Sequence, residues 1–154
     1  MIQRIQTVYL AVATLLMALS LILPIAVFQV SGVEYELGAF SLHNDAESIT
    51  YPVIWMGIIL AAATVLPLLI IFLFKNRTLQ IRLCAVEVVL LLGSFAFMGI
   101  FYFCSDTIFD GLIIQNEYFG MGAIMPILSA ILIVLAARAI FKDEVLVRSL
   151  DRIR

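Results

Sequence analysis

The chain has 154 residues, 64% of them hydrophobic and only 13% charged, with a formal net charge of -2 and a mean hydropathy of +1.17. A soluble domain is typically about half apolar and a quarter charged, and a fold of this length still leaves much of its surface in water. The composition therefore excludes an ordinary soluble domain and predicts a single membrane-embedded one.

Residues 1–7 form a short polar start carrying Arg4, and 8–28 contain no charge at all. About 20 apolar residues suffice to cross the hydrocarbon core, so 8–28 are predicted as the first span. A signal peptide is the competing reading. The run is long for a signal core, however, and Pro24-Ile-Ala-Val-Phe28 is a poor small-residue cleavage site, so a retained helix is expected.

Residues 29–52 are polar and acidic, with Glu34, Glu36, Asp45, Glu47 and the single histidine, His43. Around Ser31-Gly32 the sequence alternates: Val33, Tyr35 and Leu37 share one face, Glu34 and Glu36 the other. That pattern predicts a small β-hairpin with a two-residue turn, resting on the mouth of the helices. Tyr51 and Trp55 then mark an interfacial aromatic boundary. Residues 53–74 are predicted as span two, kinked at Pro67.

Lys75, Arg77 and Arg82 form a basic connection, followed by span three at 83–105. Cys84 and Cys104 fall near opposite ends of this run, roughly 30 Å apart along a helix. They cannot bridge one another, and both read as buried, apolar-like thiols. A second acidic connection follows, with Asp106, Asp110 and Glu117, and its apolar residues suggest that it hugs the membrane surface. Span four is predicted at 119–141, where Gly122, Pro126 and Ala130 make a small-residue stripe suited to close helix approach. It is expected to continue as a helical end over 142–154, with Leu146, Leu150 and Ile153 on one face and Glu144 paired to Arg148 at i,i+4.

All nine Lys and Arg fall on one side of this four-span arrangement: Arg4, Lys75, Arg77, Arg82, Arg138, Lys142, Arg148, Arg152 and Arg154. The connections on the other side carry acids only. The positive-inside rule then puts both termini and the central connection in the cytoplasm. The expected fold is an all-α antiparallel four-helix transmembrane bundle with a small outer β-hairpin.

Three stretches carry a family resemblance: Met1-Ile-Gln-Arg-Ile-Gln-Thr7, Phe74-Lys-Asn-Arg-Thr-Leu-Gln-Ile-Arg82, and Lys142-Asp-Glu-Val-Leu-Val-Arg-Ser-Leu-Asp-Arg-Ile-Arg154. In this order, and across the whole chain, they resemble the domain-of-unknown-function 4293 family of bacterial membrane proteins. The resemblance implies a small four-helix inner-membrane protein. It carries no assigned activity and no catalytic or binding residue.

Glu87 is the acidic residue inside an apolar span, and such groups are costly and usually face the interior. It lies about one turn in from the basic edge of span three, and Arg138 sits at a similar depth in span four. A partly buried Glu87–Arg138 ion pair is therefore expected, in preference to a proton or cation relay. His43, Asp45 and Glu47 do not supply the six or more oxygens that calcium sites converge, so a solvated loop is expected rather than a metal site.

There is no nucleotide-cradling glycine motif and no Cys/His pair within a span. No enzyme and no cofactor are expected. The cytoplasmic residues Lys75, Arg77, Arg82, Arg148 and Arg152 are the candidate interaction surface. Expected partners are the lipid bilayer and other membrane or cytoplasmic proteins, not nucleic acid. The function expected is a non-enzymatic accessory or assembly component of a membrane complex; a small oligomeric transporter or channel is the alternative.

Overall fold

A computed structural model of the chain describes residues 2–44, 48–49, 53–74, 76–104 and 114–151. Four helices are long and apolar enough to cross a membrane, and a small antiparallel sheet closes one end of them. Helix α1 spans Ile2–Ile22, starting earlier and ending earlier than the first apolar run. Its end is set by Pro24, which has no N–H to donate and disfavours helical backbone in the residue before it. Strand β1 (Ala26–Val30) is the first arm of the expected hairpin, and it takes up 26–28, the last residues of the predicted first span.

Strand β2 (Val33–Leu37) pairs antiparallel with β1. The turn between them uses Ser31 at φ 53° and Gly32 at φ 84°, two successive positive φ values of the kind that two-residue hairpins need. The hairpin is extended on both sides. Strands β3 (Leu42–His43) and β4 (Ser48–Ile49) add beyond β2. Strand β5 (Ile114–Phe119) pairs with β1, giving the order β4-β3-β2-β1-β5.

Span four was expected from residue 119. Phe119 instead ends β5, and helix α4 runs Met125–Asp151 after a 3-10 turn at Met121–Ala123. The helical character expected beyond residue 141 is present to Asp151. Most of the second acidic connection, 105–113, lies outside the described residues.

Helix α2 (Ile54–Phe72) runs through Pro67, and α3 spans Arg77–Phe103. α1 packs on α2 and α4, and α3 packs on α2 and α4. The helices therefore form a four-membered ring with α1 and α3 on one diagonal. The buried positions of α3 are Gln80, Cys84, Glu87, Leu91, Ser94, Met98 and Phe101. Their alternating three- and four-residue spacing is the seam pattern of a helical bundle. On α1 the matching set is Gln6, Leu10, Ala13, Met17 and Ser20.

The outward faces are apolar. Leu15, Val89 and Leu92 are each more than 60% exposed, although such contiguous apolar surface is rare on monomeric soluble proteins.

The sheet and the helices share one core. Phe28, Val30, Leu37 and Leu42 are buried in the same cluster as Met17, Leu60, Leu91 and Ile133. Tyr102, near the end of α3, stacks on Phe119 with ring centroids 4.1 Å apart and lies 6.0 Å from Phe28. Cys84 is buried as expected, but Cys104 is exposed, because it follows the last turn of α3 just outside the packed seam; both are free thiols.

Candidate functional site

The polar groups inside the bundle fall into two kinds. Most are hydroxyls that donate to backbone carbonyls. Thr14 bonds Leu10 O at 2.9 Å, Ser94 bonds Leu91 O at 2.7 Å, and Ser20 bonds Gly122 O at 2.8 Å across to the α4 side. Ser129 reaches Ala13 O at 3.5 Å. These bonds tie helices to themselves and to one another.

Glu87 and Gln6 are different. Glu87 is wholly buried, and neither of its carboxylate oxygens has a hydrogen-bond partner; the Gln6 Nε2 donor is also buried without one. The structure does not close the expected Glu87–Arg138 pair. Arg138 is exposed on α4, turned away from the seam that Ile133, Ala136 and Ile140 fill. Matched depth along the two helices gives no information about which way round α4 is turned.

Helix register places the two unpartnered groups together in depth. Ser129–Ala13 and Ser20–Gly122 fix α1 against α4, and about two turns further on, Gln6 stands opposite Ala136. Phe95 and Gly99 of α3 share a groove with Ala123 and Ile127; about two turns on, this puts Glu87 at the level of Ala136 as well. Gln80 Nε2 donates to Ile70 O at 2.8 Å where α2 meets α3, and about two turns on, Glu87 faces the level of Ala63. One layer of the bundle thus holds Gln6, Ala63, Glu87 and Ala136. Both alanines are fully buried.

A cavity of about 510 Å³ opens beside this layer at the end where the termini lie. Gln6, Leu10, Ile71, Phe74, Arg77 and Gln80 are among its walls. Gln6 and Gln80 were not singled out from the sequence, although each sits at seam spacing with the apolar residues that follow it.

Of the expected basic surface, Arg82 is exposed. Arg77 is not a free cation: its Nη1 lies 3.0 Å from Asp143 Oδ2 and also donates to the Asp143 carbonyl at 3.4 Å. The pair clips the start of α3 to the end of α4. Its side chains are only 24% and 16% exposed, so it is sheltered more than a surface pair. Asp143→Ala is expected to lower stability by about 1–2 kcal/mol, measured by denaturant titration in detergent, and a double-mutant cycle with Arg77→Ala should recover most of that as coupling. Lys75 and Arg152 lie outside the described residues, and of Arg148 only the helical backbone is described.

On the sheet, His43 Nε2 lies 3.8 Å from Glu36 Oε2, and both are about half exposed. Among the described residues no group of three or more His, Cys, Asp or Glu is placed to hold a metal; Asp45 and Glu47 lie outside them.

Residues 2–153 match the family model described as "Domain of unknown function (DUF4293)", which is nearly the full chain. A comparison with curated proteins found no match.

Proposed function

We propose a structural role in a membrane assembly for this chain, which belongs to the DUF4293 family. It is an integral protein of the bacterial inner membrane, with both termini and the α2–α3 turn in the cytoplasm and the sheet on the opposite side. It acts as a non-enzymatic accessory or assembly component of a membrane complex.

The placement is supported by the apolar outer faces of the four helices and by the position, among the described residues, of Arg4, Arg77, Arg82, Arg138, Lys142 and Arg148 on helix segments at the end away from the sheet. The observation that carries the functional reading is the use made of the interior hydroxyls. Thr14, Ser20, Thr64, Ser94 and Ser129 each donate to a backbone carbonyl. Ser20 and Ser129 bond across to another element, whereas Thr14, Thr64 and Ser94 bond back within their own helix, so these hydroxyls are spent on backbone carbonyls and not turned toward a substrate path. The sheet packs over one end of the bundle and the Arg77–Asp143 pair clips the other, which suits a rigid element that presents its surface to a neighbour.

Photo-crosslinking in cells tests this reading. A crosslinking residue at Arg82 or Leu146, both exposed at the basic end, is expected to capture one discrete protein partner. The same residue at Val89 or Leu92 should capture lipid. Lipid adducts alone at all four positions would overturn the assembly role.

A further inference from the structure

Glu87 and Gln6 set a problem that the assembly role does not answer. A carboxylate sealed in an apolar layer without a donor or counter-charge is costly. Facing levels offer little relief among the described residues. α2 carries no titratable residue over its whole length, and α4 presents Ile133 and Ala136, with Arg138 turned outward. α1 carries Arg4 and Tyr9 within about a turn of Gln6, Tyr9 half-buried. On α3 the titratable neighbour is Cys84, one turn away and buried.

What the layer does offer is one unused donor and one freed acceptor. The donor is Gln6 Nε2. The acceptor is the carbonyl of Ala63, four residues before Pro67 in α2. Proline has no N–H, so this carbonyl lacks its usual helical partner.

We propose that Glu87 is an internal proton-binding site, loaded from the cavity at the basic end of the bundle, whose proton holds the α1–α2–α3 side closed. With the proton bound, Glu87 is neutral and has an O–H to donate, and the freed acceptor at its level is the Ala63 carbonyl. One proton therefore removes the buried charge and turns an acceptor-only group into a donor beside a carbonyl that lacks its helical partner. When the proton leaves, the unpaired charge favours admission of water through the cavity wall that Gln6 and Leu10 form, and the packing on that side loosens. The hydroxyls on the sheet side of the layer are already bonded to carbonyls, so the proton enters and leaves at one end. The inference needs only the bundle and not a partner, so it stands or falls separately from the crosslinking result.

The test uses the full chain in liposomes and a hydrophobic carbodiimide, which adds to protonated carboxyls. Label is expected at Glu87, lost in Glu87→Gln, and falling about tenfold per pH unit once the proton dissociates. Pro67→Ala returns an N–H to the Ala63 carbonyl and should shift the labelling midpoint to lower pH. Hydrogen exchange, corrected for intrinsic rates, should show protection over α1 and α2 falling with rising pH in the wild type and staying flat in Glu87→Gln. Label retained in Glu87→Gln, labelling independent of pH, an unmoved midpoint in Pro67→Ala, or matching exchange profiles in the two proteins would each overturn the proposal.

Discussion

Gly122→Val is expected to lower stability by about 3 kcal/mol or more, enough to remove most of a typical domain's margin. Gly122 sits where the end of α1 turns into β1 and where β5 turns into α4. Its N–H donates to Pro24 O at 2.9 Å, its carbonyl accepts from Ser20 Oγ at 2.8 Å, and Gly120 N–H donates to Ile25 O at 2.8 Å. A side chain there meets backbone, not a flexible neighbour. An added Cβ would stand 2.6 Å from Leu23 O and 2.8 Å from Pro24 O. Those atoms move only if the α1–β1 junction moves, and that junction positions the whole sheet. Gly99→Ala in α3 is the contrast. Nothing lies within 4 Å of its added Cβ, so it should be neutral or stabilise by about 0.5–1 kcal/mol through helix propensity. Reversible unfolding in detergent, read by circular dichroism, compares the two directly.

The second large effect has the opposite sign. At a pH high enough to remove the Glu87 proton, Glu87→Met is expected to stabilise the protein, by about 1–3 kcal/mol. The glutamate buries two carboxylate oxygens without partners, and methionine fills similar volume with no polar atom to satisfy. Natural proteins keep such groups where function requires them at the expense of stability. Glu87→Gln should fall between the two, since its amide carries no charge and can donate to the Ala63 carbonyl. A loss of stability in Glu87→Met at that pH would mean that the charged carboxylate has a stabilising partner beyond the described residues of this layer.

Much of this architecture is written locally in the chain. The Ser31-Gly32 turn between alternating residues specifies a hairpin, and the hairpin is there with both turn residues at positive φ. The long apolar runs specify four helices, and the seam residues of α3 recur at bundle spacing. What was not legible depends on contacts between distant residues. Pairing of β5 with β1 joins segments more than 80 residues apart, and Asn116 Nδ2 reaches Gln29 Oε1 at 3.1 Å across that pairing. Hydropathy alone counted Phe119 into the last span because its apolar character does not distinguish a strand end from a helix start.

The same limit applies to the site. Glu87 stood out because a single acid in an apolar run is conspicuous, and burial followed. Its pairing with Arg138 rested on matched depth, but depth says nothing of rotation about the helix axis, and α4 turns Arg138 outward. Gln6 was hidden for a different reason. It sits in a stretch polar enough to read as a flanking segment, yet α1 begins at Ile2 and carries Gln6 into the seam with Leu10 and Ala13. Arg77 was counted as free basic surface because its partner, Asp143, lies 66 residues away.

The proposed orientation puts the basic end of the bundle in the cytoplasm and the sheet on the opposite side of the membrane. The native thiols give the most direct measurement of it. Cys104 is exposed at the sheet end of α3, Cys84 is buried, and Ser149 is exposed near the end of α4. In spheroplasts treated with a membrane-impermeant maleimide, Cys104 should label in intact cells, whereas a cysteine replacing Ser149 in a Cys104→Ser background should label only after lysis. Labelling of the Ser149 position in intact cells, with Cys104 protected until lysis, would contradict the orientation on which the account depends.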